Sequence, residues 1–243
     1  VSFRTGLRTF SVDAARGFFL NGISYPLRGV VLWRDQAFSG PVFNEEELRR
    51  DMRLIREMGA NAVRVAGGTH HPAFYELCDE EGVVVLADGP FAGTSTLDER
   101  GYFATPAFRD NAERQFRELV CQRYNNPSVA FWGIFADPEI LGDDPIPFIG
   151  EMNRLGGLRG VNDCGLVTFD RQVRKDAYWL YKANWNREDP FIHIASVRER
   201  RRSDKIQTVT VYTNLPVAEL CVNGVSLGTR VARNGVMKWD GVQ

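Results

Sequence analysis

Long hydrophobic runs, closely spaced cysteines and an excess of either charge are all missing from this chain, and each absence argues against a class of function. No apolar stretch approaches the roughly 20 residues that a membrane-spanning helix needs. The four cysteines, Cys78, Cys121, Cys164 and Cys221, form no Cys-x-x-Cys pair, and only 3 histidines accompany them. That spacing argues against a zinc site and predicts four free thiols. Against 30 basic residues stand 31 acidic ones, a formal net charge of −1, so the chain has no long-range pull on nucleic acid or on an acidic membrane. Its one basic run, Arg198 to Arg202, is interrupted by Glu199 and carries no interleaved aromatics; a solvated hairpin loop is the expected reading. No basic-then-apolar leader opens at Val1. A chain that does not begin with Met reads as an excerpt of a longer precursor.

What is present is ordinary globular material. The 243 residues are 44% hydrophobic and 25% charged, enough for one large domain or two medium ones. Short β-like segments come first, Phe3 to Val12 and Phe18 to Gly22. The apolar run Tyr25 to Trp33 then suits a buried parallel strand. Asn44, with Glu47 three residues on, predicts a helix start. Leu48, Met52, Ile55 and Met58 make its apolar stripe, and Gly59 its stop. Strands are expected at 61–66, 82–87 and 128–135, and helices at 72–80, 106–124 and 146–155. Four strand–helix units in succession require right-handed crossovers and a parallel sheet.

In such a sheet, ligand-facing residues sit at the C-terminal strand ends. Here those are 33–35, 67–70, 88–91 and 136–139. The pattern then breaks at the glycine-rich segment 156–160. One more helix is expected at 170–185, and beyond Pro190 the chain reads as all-β, with Asn223-Gly224 as a hairpin turn.

Several blocks, taken in order, carry a resemblance. They are GFFLNG and LRGV, EEELRRDMRLIREMGANAVRVA, FYELCDEEGVVVLAD, RYNNPSVAFWGIFADPE, GVNDCGLVTFDRQVRKDAYWLYKANWN and VYTNLPVAELCVNGVSLG. Together they resemble family 2 glycoside hydrolases of the β-galactosidase type, over nearly the whole chain. The resemblance implies an α/β fold: a partial (β/α)8 TIM-type barrel followed by an incomplete immunoglobulin-like β-sandwich. Residues 1–24 would end a preceding sandwich or linker, 25–187 would be the partial barrel, and 188–243 the incomplete sandwich. The implied activity is retaining hydrolysis of terminal β-galactosides. No cofactor is required, although some members use magnesium or sodium. The partner would be a carbohydrate, not nucleic acid or membrane. Relatives of this type are often bacterial and exported, which leaves a periplasmic or extracellular location open.

Two departures from the family stand out. A complete eight-stranded barrel takes about 250 residues, whereas Pro26 to Trp185 supplies about 160. The family's nucleophilic Glu belongs to the absent part. The second departure is chemical. Where the family ends its fourth strand in Asn-Glu, this chain has Ala136-Asp137; where a sugar-contacting His follows the second strand, it has Gly67-Gly68; where the first strand leads to Arg-His, it has Leu32-Trp33.

A retaining glycosidase needs two carboxyls about 5 to 5.5 Å apart. Asp137 stands at the acid/base position. One methylene shorter than Glu, it would hold its proton about 1.5 Å off, and misplacement on that scale costs ~10²-fold in rate. Asp137 is either a shortened acid or an idle strand-end residue, with Glu139, restricted by Pro138, as its substitute. Substrate-binding candidates are Asp35, His70, Asp88 and Trp33. Asp35 and Asp88 either bond sugar hydroxyls or cap loop amides. His70 either contacts sugar or packs. Trp33 is the better sugar-stacking indole, and Trp132 the more core-like one. No metal ligand set is visible. Three readings stay open: a stretch of a hydrolase with a degraded site, a non-catalytic carbohydrate-binding or scaffold protein, and a homo-oligomer that pairs the two edges of a half barrel.

Overall fold

A computed structural model of the chain describes residues 5–33, 42–66, 68–89, 105–134, 165–197 and 205–243. Two compact units divide the chain, one from 1–53 and 60–150, the other from 54–59 and 151–243.

The first unit opens with the hairpin β1 (Phe10–Asp13) and β2 (Gly17–Leu20), joined by the short β3 (Ile23–Ser24). Of the expected strand Phe3 to Val12, residues 3 and 4 lie outside the described residues, and from residue 5 on the strand is confined to Phe10–Asp13 because its partner β2 ends at Asn21-Gly22. Both of those residues have positive φ and turn the chain away. A parallel sheet follows in the order β4 (Gly29–Leu32), β5 (Ala62–Val65), β6 (Val84–Asp88) and β7 (Val129–Gly133). β4 is shorter than the apolar run Tyr25 to Trp33. Asn61 clamps the residues before it, accepting from the Arg28 amide at 2.7 Å and donating to the Pro26 carbonyl at 3.0 Å.

Three helices connect these strands. α1 (Glu45–Met58) starts where Asn44 Oδ1 accepts the amides of Glu46 and Glu47. It stops at Gly59, φ +87°. α2 (Pro72–Glu81) is capped by His71, whose Nδ1 accepts the Ala73 amide, and ends on left-handed Gly82. α3 (Pro106–Arg123) follows Thr105, whose hydroxyl accepts from the Phe108 amide. Asp79 on α2 fixes the entry to β7, accepting from Asn126 and from the Ser128 amide at 2.7 and 2.9 Å.

Strand alternation sets the two faces of this sheet. Val30, Val63, Val65, Val85 and Ala87 share one face and are fully buried. On the other face Ala62 and Val84 join Ala130 under Phe18 of the hairpin, with Tyr25 and Phe131 packed alongside. That face also carries Arg64 and Asp88. The helix expected at 146–155, the glycine-rich linker, the basic run 198–202 and Cys164 lie outside the described residues. Cys78 is buried, and burial raises its thiol well above the ordinary value. Cys121 and Cys221 are exposed and free.

The second unit holds the last turn of α1 and the helix α4 (Asp176–Trp185). That helix begins six residues later than the expected 170. Side chains take the backbone bonds instead: Asp170 accepts from the Thr168 hydroxyl and the Gln172 amide, Thr168 accepts from the Val173 amide, and Arg171 adopts φ +61°. α4 is tied to the α1 turn by Tyr178, whose hydroxyl donates to the Leu54 carbonyl, and by Asn186, which donates to the Glu57 carbonyl.

Beyond it lie two antiparallel sheets. One has the order β12 (Val236–Val242), β9 (Gln207–Thr213), β8 (Ile192–Ile194); the other pairs β10 (Val217–Val222) with β11 (Val225–Val231). Asn223-Gly224 has positive φ at both residues and makes the expected hairpin turn. Val211, Met237 and Trp239 form a core that takes Ala218, Leu220 and Val222 of β10. Among the described residues no helix is long and apolar enough to cross a membrane.

Candidate active site

The C-terminal end of β4, the segment between β5 and α2, and the first turns of α1 and α2 meet around a cavity of about 60 Å³. At roughly 10 to 15 Å³ per water-sized probe it has room for a few waters or one edge of a sugar ring. Trp33, Phe43 and Phe74 give it aromatic walls; Asp51, His70 and His71 give it polar atoms. The histidines are held by their neighbours. The His71 ring stacks on Phe43 at 3.7 Å and the His70 ring lies on Phe74 at 4.6 Å. Trp33 buries its indole N–H with no acceptor among the described residues. Of the substrate-binding candidates, then, Trp33 and His70 come together in one place.

Asp88 does something else. Its carboxylate is 4% exposed and accepts from Arg64 Nε at 2.7 Å. Arg64 stands on β5 in register with Leu86 of β6, and Asp88 ends β6 beside Gly133 of β7. A Cβ added at Gly133 would collide with the Asp88 carboxylate, so the glycine makes the space the acid occupies. Asp88 is outside the lining of the cavity. Trp132 is half-buried on β7 and lies outside that lining too. Asp35, Asp137 and Glu139 fall outside the described residues. Among the described residues no group of three or more His, Cys, Asp or Glu could hold a metal ion.

Sequence reasoning missed Asp51 and the Arg64–Asp88 pair. Asp51 had a signal: three residues after Leu48 and four before Ile55, it falls on the apolar stripe of α1, where it is 1% exposed. Arg64 also had one, as a charge inside the strand Ala62–Val65.

The matches to known proteins agree with this geometry. The family model "Glycosyl hydrolases family 2, TIM barrel domain" covers residues 12–186. The chain belongs to glycoside hydrolase family 2. A "Beta-glucuronidase" of Bacteroides fragilis is 28% identical, with 93% of this chain and 51% of that protein covered. A "Beta-galactosidase" of Bacteroides ovatus is 30% identical over 53% of this chain and 15% of its own. Among solved structures, an FMN-binding β-glucuronidase of Faecalibacterium prausnitzii superposes with a TM-score of 0.85 at 22% identity, covering 98% of this chain and 56% of that one; this likeness shows the fold.

The chain thus spans about half the length of the Bacteroides fragilis relative. The alignment to that relative runs over 354 positions, more than the 243 residues of the chain. The relative therefore carries internal stretches that this family 2 chain lacks, and the four parallel strands are part of a TIM barrel. Proteins of this family are glycosidases.

Proposed function

We propose that the protein represented by this chain is a retaining glycosidase of terminal β-galactosides, and that the chain's own site is degraded. One observation carries the reading: in a family 2 barrel, Trp33 and His70 line one cavity at the C-terminal strand ends. An indole face stacks on the apolar face of a sugar ring, while imidazole and carboxylate atoms bond its hydroxyls. In the two-carboxylate mechanism an acid protonates the departing glycosidic oxygen, a second carboxylate attacks the anomeric carbon, and water then releases the sugar. Asp137 would be the acid, with Asp35, His70, Asp88 and Trp33 serving the substrate, Asp88 by holding Arg64. The reaction needs no cofactor. An immunoglobulin-like sandwich is the natural reading of the β8–β12 sheets in this setting.

The test is hydrolysis of a panel of nitrophenyl β-glycosides by the purified chain, with Asp137→Ala alongside. The degraded-site reading expects background rates from both. Turnover that is lost in Asp137→Ala would overturn it and would require a nucleophile from a second copy in a homo-oligomer. A chain that turns nothing over yet binds sugar is a carbohydrate-binding protein on a glycosidase scaffold.

A further inference from the structure

β7 is the last strand of the parallel sheet, and among the described residues it pairs only with β6. Its outer side is a sheet edge, a template on which another strand can add. The Val85 amide donates to the carbonyl of Ser128, just before β7, so that carbonyl points toward β6. Successive carbonyls of extended chain point to opposite sides, and the carbonyl of Val129 therefore points away from β6. Arg8 meets it there, with Nη2 donating at 3.0 Å. Two further contacts keep step with this one. A Cβ on Gly6 would lie 2.8 Å from Cγ of Pro127, and the Phe10 ring stands 6.3 Å from the Phe131 ring. Residues 6, 8 and 10 thus follow 127, 129 and 131 in steps of two, the period of extended chain. Thr9 is held by the hairpin turn instead: its amide donates to Asn21 Oδ1 at 2.9 Å, and its carbonyl accepts the Asn21 amide at 2.8 Å. The Arg8 guanidinium lies over the Phe10 ring at 4.9 Å, an attraction that fixes its direction. Strand pairing in this segment begins only at Phe10, and with β2. A side chain, not a backbone ladder, thus takes the first outward carbonyl of β7.

We infer that residues 6–10 are a guard strap, in which Arg8 occupies the open edge of β7 and keeps a second copy of the chain from adding its own β7 there. The guard acts in two ways. The guanidinium satisfies a carbonyl that would otherwise attract an incoming N–H. Two copies meeting edge to edge about a two-fold axis would also bring their two Arg8 charges to one seam, where they repel.

The experiment is analytical ultracentrifugation of the purified chain, from micromolar to submillimolar concentration, for wild type, Arg8→Ala, Arg8→Lys and Gly6→Val. Circular dichroism first checks that each is folded. Wild type is expected to stay monomeric. Arg8→Ala should self-associate at least about tenfold more tightly, the worth of one hydrogen bond to a charged donor. Arg8→Lys keeps a charge and a donor at the edge and should stay close to wild type. Gly6→Val leaves Arg8 in place, but its side chain collides with Pro127 and lifts the strap. It should self-associate as well, which keeps the test open where Arg8→Ala does not fold. Hydrogen exchange then locates the contact: the amides of residues 129–133 should exchange more slowly in the associated form. A folded Arg8→Ala that stays monomeric overturns the inference. So does a wild type that associates as tightly as the variant, and so does association that protects the amides of β4 and leaves those of β7 unchanged.

Discussion

Asp88 shows how little a residue's position in the chain says about its role. A carboxylate at the end of a barrel strand suggests a sugar contact, yet this one is buried against Gly133 and paired with Arg64. Removing one partner of a buried pair strands the other charge in a poorly solvated place. Gly133→Ala is expected to do this indirectly, because its Cβ takes the space of the Asp88 carboxylate. The expected loss is about 3 kcal/mol, the lower end for a broken buried pair, since Arg64 keeps a fifth of its side chain in solvent. Asp88→Asn should cost a similar amount. Urea unfolding of both single variants and the double variant checks the coupling. The double should be little worse than either single, and additive losses would show that the methyl group and the carboxylate do not compete for one space.

At the scale of elements, helix ends were legible and strand lengths less so. Asn44, Gly59 and the apolar stripe of α1 sit where the sequence signals place them, because capping and amphipathic spacing are local physics. The start of α4 was misplaced because Thr168 and Asp170 compete for backbone bonds, a competition that apolar spacing does not reveal. A second Asn-Gly turn, Asn234-Gly235, was there to be read as well; both residues have positive φ before β12.

Gly59 and Gly82 turn the same signal into a prediction. Both stop a helix with positive φ, at +87° and +67°. An Ala Cβ at Gly82 meets nothing within 4 Å, whereas at Gly59 it would lie 2.7 Å from the backbone nitrogen of Asn186. Gly82→Ala should therefore cost only the left-handed penalty of about 1 to 2 kcal/mol. Gly59→Ala should cost that plus the displacement of the chain after α4, about 3 kcal/mol or more. Thermal unfolding of the two variants compares them directly, and equal losses would mean that the backbone at Asn186 gives way freely.

For the molecule as a whole, the parallel order of the sheet and its shortage of strands were visible in the sequence, since strand–helix alternation and length are global properties of the chain. The Arg64–Asp88 pair was not, because it joins residues 24 apart that only the β5–β6 register brings together. The two units also share a weakness that no single segment announces. Burial raises the Cys78 thiol in the first unit, and in the second it raises the Tyr178 phenol from 10.0 to about 12 and the Tyr212 phenol in the same direction. A group whose folded pKa lies above its unfolded one favours the folded state fully below the unfolded value. That contribution is lost as pH climbs toward the folded value. Stability should therefore be flat up to about pH 9, fall as unfolded Cys78 begins to ionise, and fall further between pH 10 and 12 as the tyrosines follow. Urea midpoints measured from pH 7 to 12 would trace the curve. Cys78→Ala should remove the early part, with the tryptophans of the first unit, Trp33 and Trp132, reporting it. Tyr178→Phe should flatten the later part as seen by Trp179, Trp185 and Trp239 of the second. If Cys78→Ala left the curve unchanged between pH 9 and 10, the thiol would have to ionise as readily in the folded chain as in the unfolded one, and its burial on the inner side of α2 would carry no electrostatic cost.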